Sequence, residues 1–130
     1  DARRANASEF IQTLRGLEGV RLPVPSDTVR NGYYKFYCYV EPNALKSDWS
    51  RDRVMAEITE RGVPCFSGSC SEIYLEKSFQ TAGLAPRKRL KNAQELGETS
   101  LCLLVHPTIT PHDAHEMAAV AKQVIEEATR

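Results

Sequence analysis

The segment from Gly62 to Phe79 brings Cys65, Phe66, Ser69, Cys70, Glu72 and Tyr74 into one short stretch rich in serine and glycine. A core strand would have longer apolar continuity, and a solvated loop would not set cysteines and aromatics among such small residues. The mixture suits a surface that meets a polar ligand or a partner. Three chemistries are open to it. Cys65 or Cys70 would act as a thiolate nucleophile if His106, His112 or His115 served as its base and Glu72 oriented that base. No nucleophile elbow or family-type signature surrounds either cysteine, which weighs against a cysteine hydrolase. Cys65 and Cys70 would form a metal site with His112 and His115, which lie three apart on one helix face, although the cysteine spacing is looser than in most zinc knuckles. Glu72 and Glu76, four apart, would form a carboxylate pair. Glu76 and Lys77 read as ordinary helix surface charge, whereas Glu72 in its Ser-Cys-Ser-Glu turn has the better claim to a contact.

These residues sit in a chain of 130 residues with 42% hydrophobic content, enough for one domain and one core. Seventeen basic and seventeen acidic residues cancel. That balance leaves no electrostatic footprint for nucleic acid or an anionic membrane. The one basic run, Arg87-Lys88-Arg89-Leu90-Lys91, has no interleaved aromatics and reads as a solvated loop. No apolar run approaches the about 18 residues of a membrane span. None of the four cysteines, Cys38, Cys65, Cys70 and Cys102, falls in a Cys-x-x-Cys pair. A soluble protein of the reducing cytoplasm is expected. Helical spacing of Ala7, Phe10, Ile11, Leu14 and Leu17 begins almost at Asp1, which predicts a piece cut from a longer protein.

The elements that must position the segment follow from periodicity and punctuation. The first helix is predicted to end near Gly16 to Gly19. Val20, Leu22 and Val24 alternate as an edge strand interrupted by Pro23 and Pro25. Tyr33 to Val40 is the clearest strand, with Tyr34, Phe36, Cys38 and Val40 expected toward the core and Lys35, Tyr37 and Tyr39 on the other face. Ser50 is the expected N-cap of a helix carrying Val54, Met55 and Ile58, stopped by Gly62. Val63 to Phe66 is extended, and Ser71 is expected to cap a brief helix. Asn92 and Glu95 resemble a capping box. Leu101 to Val105 predicts a fully buried strand. Thr110, Pro111 and Asp113 open a last helix that buries Met117, Val120, Ala121 and Val124. The order predicts an α+β domain, a two-layer sandwich in which a small, mainly antiparallel sheet is covered by helices.

Several of these stretches carry a resemblance. Asn31-Gly32-Tyr33-Tyr34-Lys35-Phe36-Tyr37, the pair Arg51-Asp52, Gly62-Val63-Pro64 and Ser100-Leu101-Cys102-Leu103-Leu104-Val105-His106-Pro107-Thr108 together resemble the C-terminal part of DegT/DnrJ-type sugar aminotransferases. Arg3-Arg4-Ala5-Asn6-Ala7 is similar to the helix by which that family leaves its large domain. The resemblance implies the small domain of a fold type I pyridoxal-phosphate enzyme, spanning residues 1–130. It further implies that the Schiff-base lysine and most of the phosphate cradle belong to a large N-terminal domain outside this chain. The chemistry of transamination belongs to the cofactor, so this chain by itself is expected to be inactive and to bind no cofactor.

Within that resemblance the small domain supplies one wall of the substrate cleft, in a homodimeric enzyme acting on a sugar nucleotide and an amino donor. The family's usual His-Tyr-x-Pro contact loop is replaced here by Cys65-Phe66-Ser67-Gly68-Ser69-Cys70-Ser71-Glu72. Lys35, Ser69, Cys70, Glu72 and Tyr74 are the candidate substrate-binding residues, through hydrogen bonds to sugar hydroxyls or a diphosphate. A cofactor-free α+β binding or oligomerisation module is the alternative from another class. Neither Lys35, on a strand's outer face, nor Lys77, on a short polar helix, has the desolvated surroundings that activate an amine. Pyridoxal phosphate mixed with this chain is therefore expected to give no saturable, borohydride-trappable attachment to a single lysine. Stoichiometric labelling of one lysine, read by mass spectrometry, would contradict that expectation.

Overall fold

A computed structural model describes residues 1–129. The chain runs through α1 (Ala2–Leu14), β1 (Val20–Arg21), β2 (Phe36–Val40), α2 (Arg51–Glu60), β3 (Cys65–Phe66), α3 (Lys77–Thr81), α4 (Lys91–Thr99), β4 (Ser100–Leu103) and α5 (Pro111–Thr129). The strands form one antiparallel sheet in the order β1-β2-β4-β3. The α+β class and the expected sequence of elements are both present.

Opposed residues in antiparallel strands share a face, so the register sorts the sheet into two sides. Phe36 lies opposite Leu103, Cys38 opposite Leu101, Val40 opposite Val20, and Cys65 opposite Leu103. This side joins Ala7, Phe10 and Leu14 of α1, Val54 and Ile58 of α2, and the Ala114, Ala118, Ala121, Val124 and Ile125 stripe of α5 in one core. Phe10 stacks on Phe36 with ring centroids 5.1 Å apart. Alanines on α5 let α1 approach closely, and that pair makes the most extensive helix contact. Met117 and Val120, predicted as part of the buried stripe, lie half-buried at its margin, and Ile125 and Ala128 take the interior positions.

Polar groups fix the ends of the helices. The Ser50 hydroxyl accepts from the Arg53 N–H at 3.2 Å, as an N-cap should. Thr110 and Asp113 cap one another: the Asp113 N–H donates to Thr110 Oγ1 at 3.1 Å and the Thr110 hydroxyl donates to Asp113 Oδ2 at 2.7 Å. Gly62, at φ +87°, ends α2 in the left-handed region that glycine tolerates. Beside it, the Arg61 guanidinium grips Glu127 of α5 with two bonds, at 2.9 and 2.5 Å. Buried Asn6 donates from Nδ2 to the carbonyls of Ile109 at 2.8 Å and His106 at 3.1 Å, which ties α1 to the turn after β4.

Three expectations are corrected. Tyr34 does not face the core but is 78% exposed, because Tyr33 turns to φ +44° and breaks the alternation before β2 starts at Phe36. Asn92 does not cap α4. That helix begins at Lys91 with Leu90 at the cap position, where the Leu90 N–H is held by the Tyr74 hydroxyl. Ser71 caps nothing either; Ile73–Leu75 forms a 3-10 turn, α3 starts after Glu76, and Ser71 packs against Gly97, where a Cβ would collide with its hydroxyl. The core generates a stability prediction. Phe10→Ala removes a fully buried stacked ring and is expected to cost about 3–5 kcal/mol in urea unfolding.

Candidate functional site

The second side of the sheet carries Tyr37 and Tyr39 from β2, Ser100 and Cys102 from β4, and Phe66 from β3, with Lys35 just ahead of β2 and near Cys102. Ser100 and Cys102 are buried, and Tyr37 and Lys35 are half-buried. The chain that follows β3 lies over them. The Ser100 hydroxyl donates to the Ser67 carbonyl at 2.5 Å, and Gly68 sits so close to Tyr37 that a Cβ there would lie 2.6 Å from Cε1 of its ring. Gly68 is at φ +93°, so both conformation and space demand glycine.

Five candidate residues were named from sequence, and the structure divides them. Ser69 is exposed, with its hydroxyl 3.4 Å from the Tyr37 hydroxyl. Lys35 lies just before β2, half-buried, its ammonium 5.8 Å from the centre of the Tyr34 ring. Cys70 is exposed and its thiol donates to Glu76 Oε1 at 3.4 Å. Glu72 and Tyr74 are buried and bonded to one another, the Tyr74 hydroxyl donating to Glu72 Oε1 at 2.6 Å. Both Glu72 oxygens are also taken by Arg89, through Nε to Oε1 at 2.8 Å and Nη2 to Oε2. The Tyr74 oxygen accepts the Leu90 N–H at 2.9 Å.

Sequence reasoning missed Arg89, which it placed in a solvated basic run. Nothing local marked it, because its partner lies seventeen residues away in an unrelated stretch. The Arg89 guanidinium, then the Tyr74 hydroxyl, hold the Glu72 carboxyl down at about 2 against the desolvation that would raise it. Arg89 is raised in return, first by its bond to Glu72.

The thiols have no activating surroundings. Burial pushes Cys65 up to about 12, and the contact with the Glu76 carboxylate raises Cys70. His106 Nδ1 is bonded to Thr108 Oγ1 at 2.9 Å, and His115 Nδ1 lies 3.4 Å from Glu9, so neither pairs with a cysteine. Among the described residues no three His, Cys, Asp or Glu side chains come together as a metal site.

An open groove of about 820 Å³ lies between the end of β2 and α4. Glu18, Glu41, Glu95 and Glu98 rim it, against Arg21 and Lys91. Arg21 stacks its guanidinium 4.5 Å from the centre of the Tyr39 ring.

The open α+β fold is that of a small aminotransferase domain. The pattern of the DegT/DnrJ/EryC1/StrS aminotransferase family matches residues 1–122, and the chain belongs to that family. An aminotransferase from Psychrobacter cryohalolentis is 41% identical with a TM-score of 0.92, covering 99% of this chain and 35% of its own. DesV from S. venezuelae, solved with a ketimine intermediate, has 23% identity and a TM-score of 0.80 over 96% of this chain and 31% of its own. Helicobacter pylori PseC, an aminotransferase of pseudoaminic acid biosynthesis, has 13% identity and a TM-score of 0.80 over 97% and 32%. At those identities DesV and PseC speak for the fold alone. The chain thus spans about a third of the length of the solved structures it matches. No curated protein sequence matches it. Family membership overturns the alternative of a module unrelated to any cofactor enzyme.

Enzymes of this family in general use pyridoxal phosphate. That cofactor requires an amine held out of water and a cradle for its phosphate. Among the described residues every lysine is exposed or half-buried, and the open groove beside α4 sets four glutamates against Arg21 and Lys91. The residues of this chain do not form the cofactor's site.

The Glu72 carboxyl generates a pH prediction. Because folding depresses its pKa from about 4.5 to about 2, its contribution is fully present above the ordinary carboxylate range and is lost as pH falls through that window. Asp113 and Glu127 are also held low and act in the same direction, so the readout is a difference. The Tm advantage of wild type over Glu72→Gln is expected to hold at neutral pH and to vanish toward about pH 2. A gap independent of pH would contradict the assignment.

Proposed function

We propose that this chain is the small, C-terminal domain of a cytoplasmic pyridoxal-phosphate aminotransferase that moves an amino group onto a keto-sugar nucleotide. The observation that carries the reading is the family match over residues 1–122 together with 41% identity, over 99% of the chain, to an aminotransferase. The relatives are about three times as long, which supports a large domain outside this chain as the holder of the Schiff-base lysine and the cofactor phosphate. The complete enzyme is a homodimer in this reading. No helix among the described residues is long and apolar enough to cross a membrane, and Cys38, Cys65 and Cys102 are buried free thiols, in keeping with a reducing compartment.

In this reading the domain's part is recognition. Ser69 and Cys70 expose a hydroxyl and a thiol on the chain that follows β3, half-buried Lys35 presents an ammonium just before β2, and Phe66 at the end of β3 adds an exposed apolar ring. A sugar offers hydroxyls and an apolar ring face, and its nucleotide offers a diphosphate; these groups match. Glu72 and Tyr74 take part by shaping the wall, since their polar atoms are already bonded.

The test uses the complete enzyme with a nucleoside diphosphate keto-hexose and glutamate as amino donor. Ser69→Ala is expected to raise the KM for the sugar nucleotide by about three- to tenfold, as loss of one hydrogen bond would, and to leave the glutamate KM unchanged. Unaltered constants for the acceptor in both Ser69→Ala and Lys35→Ala would remove this face from the cleft.

A further inference from the structure

From Ser67 to Glu98 only Glu72 and Tyr74 are buried. This long stretch therefore covers the second side of the sheet with almost no apolar core of its own. Ile73, Leu75, Leu84, Leu90 and Leu96 are all more than a third exposed, and α3 packs mainly on its own preceding turn. The hydrogen bonds that join its outgoing and returning ends are polar contacts gathered at one place. Glu72 and Tyr74, where it leaves the sheet, meet Arg89 and Leu90, where it returns to enter α4. The four residues make a neck that closes residues 75–88 into an excursion with its ends together.

We propose that Arg89 is the positioning residue of the substrate wall: by closing this neck it fixes where Ser69 stands beside Tyr37 and where Cys70 stands beside Glu76. The inference rests on the reading of this face as the acceptor wall, and it adds the residue on which the wall's geometry depends. Ser69 and Cys70 immediately precede the Glu72 end of the neck. The Ser69 tie to Tyr37, at 3.4 Å, is long and exposed, and the Cys70 thiol makes a single exposed bond, at 3.4 Å, to Glu76. The neck, by contrast, combines a bidentate guanidinium–carboxylate pair with two further hydrogen bonds around a buried carboxylate. Removing the guanidinium leaves Glu72 a buried carboxylate without a counter-charge, and the neck opens rather than keep it dry. Glu98, 3.6 Å from the same guanidinium, lies on α4 and reinforces the returning side.

Two measurements on the complete enzyme test this, and they are separable. Hydrogen exchange needs no turnover: Arg89→Ala is expected to speed amide exchange across residues 75–88 by at least about tenfold, with α1 and α5 unchanged. Kinetics with a nucleoside diphosphate keto-hexose and glutamate is expected to give a roughly tenfold higher KM for the sugar nucleotide, an unchanged KM for glutamate, and partial rescue in Arg89→Lys. Exchange that stays at the wild-type rate in Arg89→Ala overturns the neck. Faster exchange with an unaltered KM for the acceptor overturns its positioning role. A wild-type enzyme that transfers no amino group to the keto-hexose defeats the acceptor-wall reading, and with it the positioning role, while the exchange measurement still decides whether the neck exists.

Discussion

Every residue of β4 is buried, and much else in the molecule follows from that constraint. A strand between two neighbours satisfies its backbone within the sheet, but both of its faces must also be taken from water. On one side Leu101 and Leu103 are covered in the ordinary way, by the apolar stripes of α1, α2 and α5. On the other, Ser100 and Cys102 need a cover that is not a helix stripe. The chain provides one by leaving β3 and folding back over the sheet before it enters β4 itself.

That cover is built on different physics from the core. Ser67 meets Ser100 by a hydrogen bond, Gly68 meets Tyr37 by bare proximity, and Gly97 meets Ser71 in the same manner. Close approach of backbone to side chain excludes water without large apolar groups, and it leaves hydroxyls, a thiol and an ammonium at the surface. A helix face packed by leucines would have buried those groups. The same arrangement that completes the sheet therefore leaves a polar, shaped surface, supported by a carboxylate already neutralised by its guanidinium.

The helices and the two inner strands were legible in the sequence because their signals are local. Ser50, Gly62, Pro111 and the apolar run from Leu101 each state a boundary within a few residues of it. The reading failed where a distant group decided the matter. Asn92 with Glu95 has the pattern of a capping box, but the Leu90 N–H is claimed by Tyr74, and the helix start follows that tether. Arg89 was invisible for the same reason, its partner Glu72 being seventeen residues away. Tyr34 is the local exception: it fits a two-residue alternation, but Asn31 accepts the Tyr33 N–H at 2.9 Å and the turn it makes throws the next side chain outward. Of the candidate site, the stretch itself stands out by its composition and the five residues follow from the resemblance, but the division between Ser69 at the surface and Glu72 beneath it required the fold.

The two rim strands, β1 and β3, are each only two residues long. Pro23 and Pro25 follow the first, and Ser67 and Gly68 turn away after the second. An incoming peptide thus finds almost no open ladder of N–H and C=O groups along which to extend the sheet. Any polypeptide that docks on this domain must read its side chains rather than its backbone, which makes such an encounter selective by sequence and guards the sheet against joining copies of itself edge to edge.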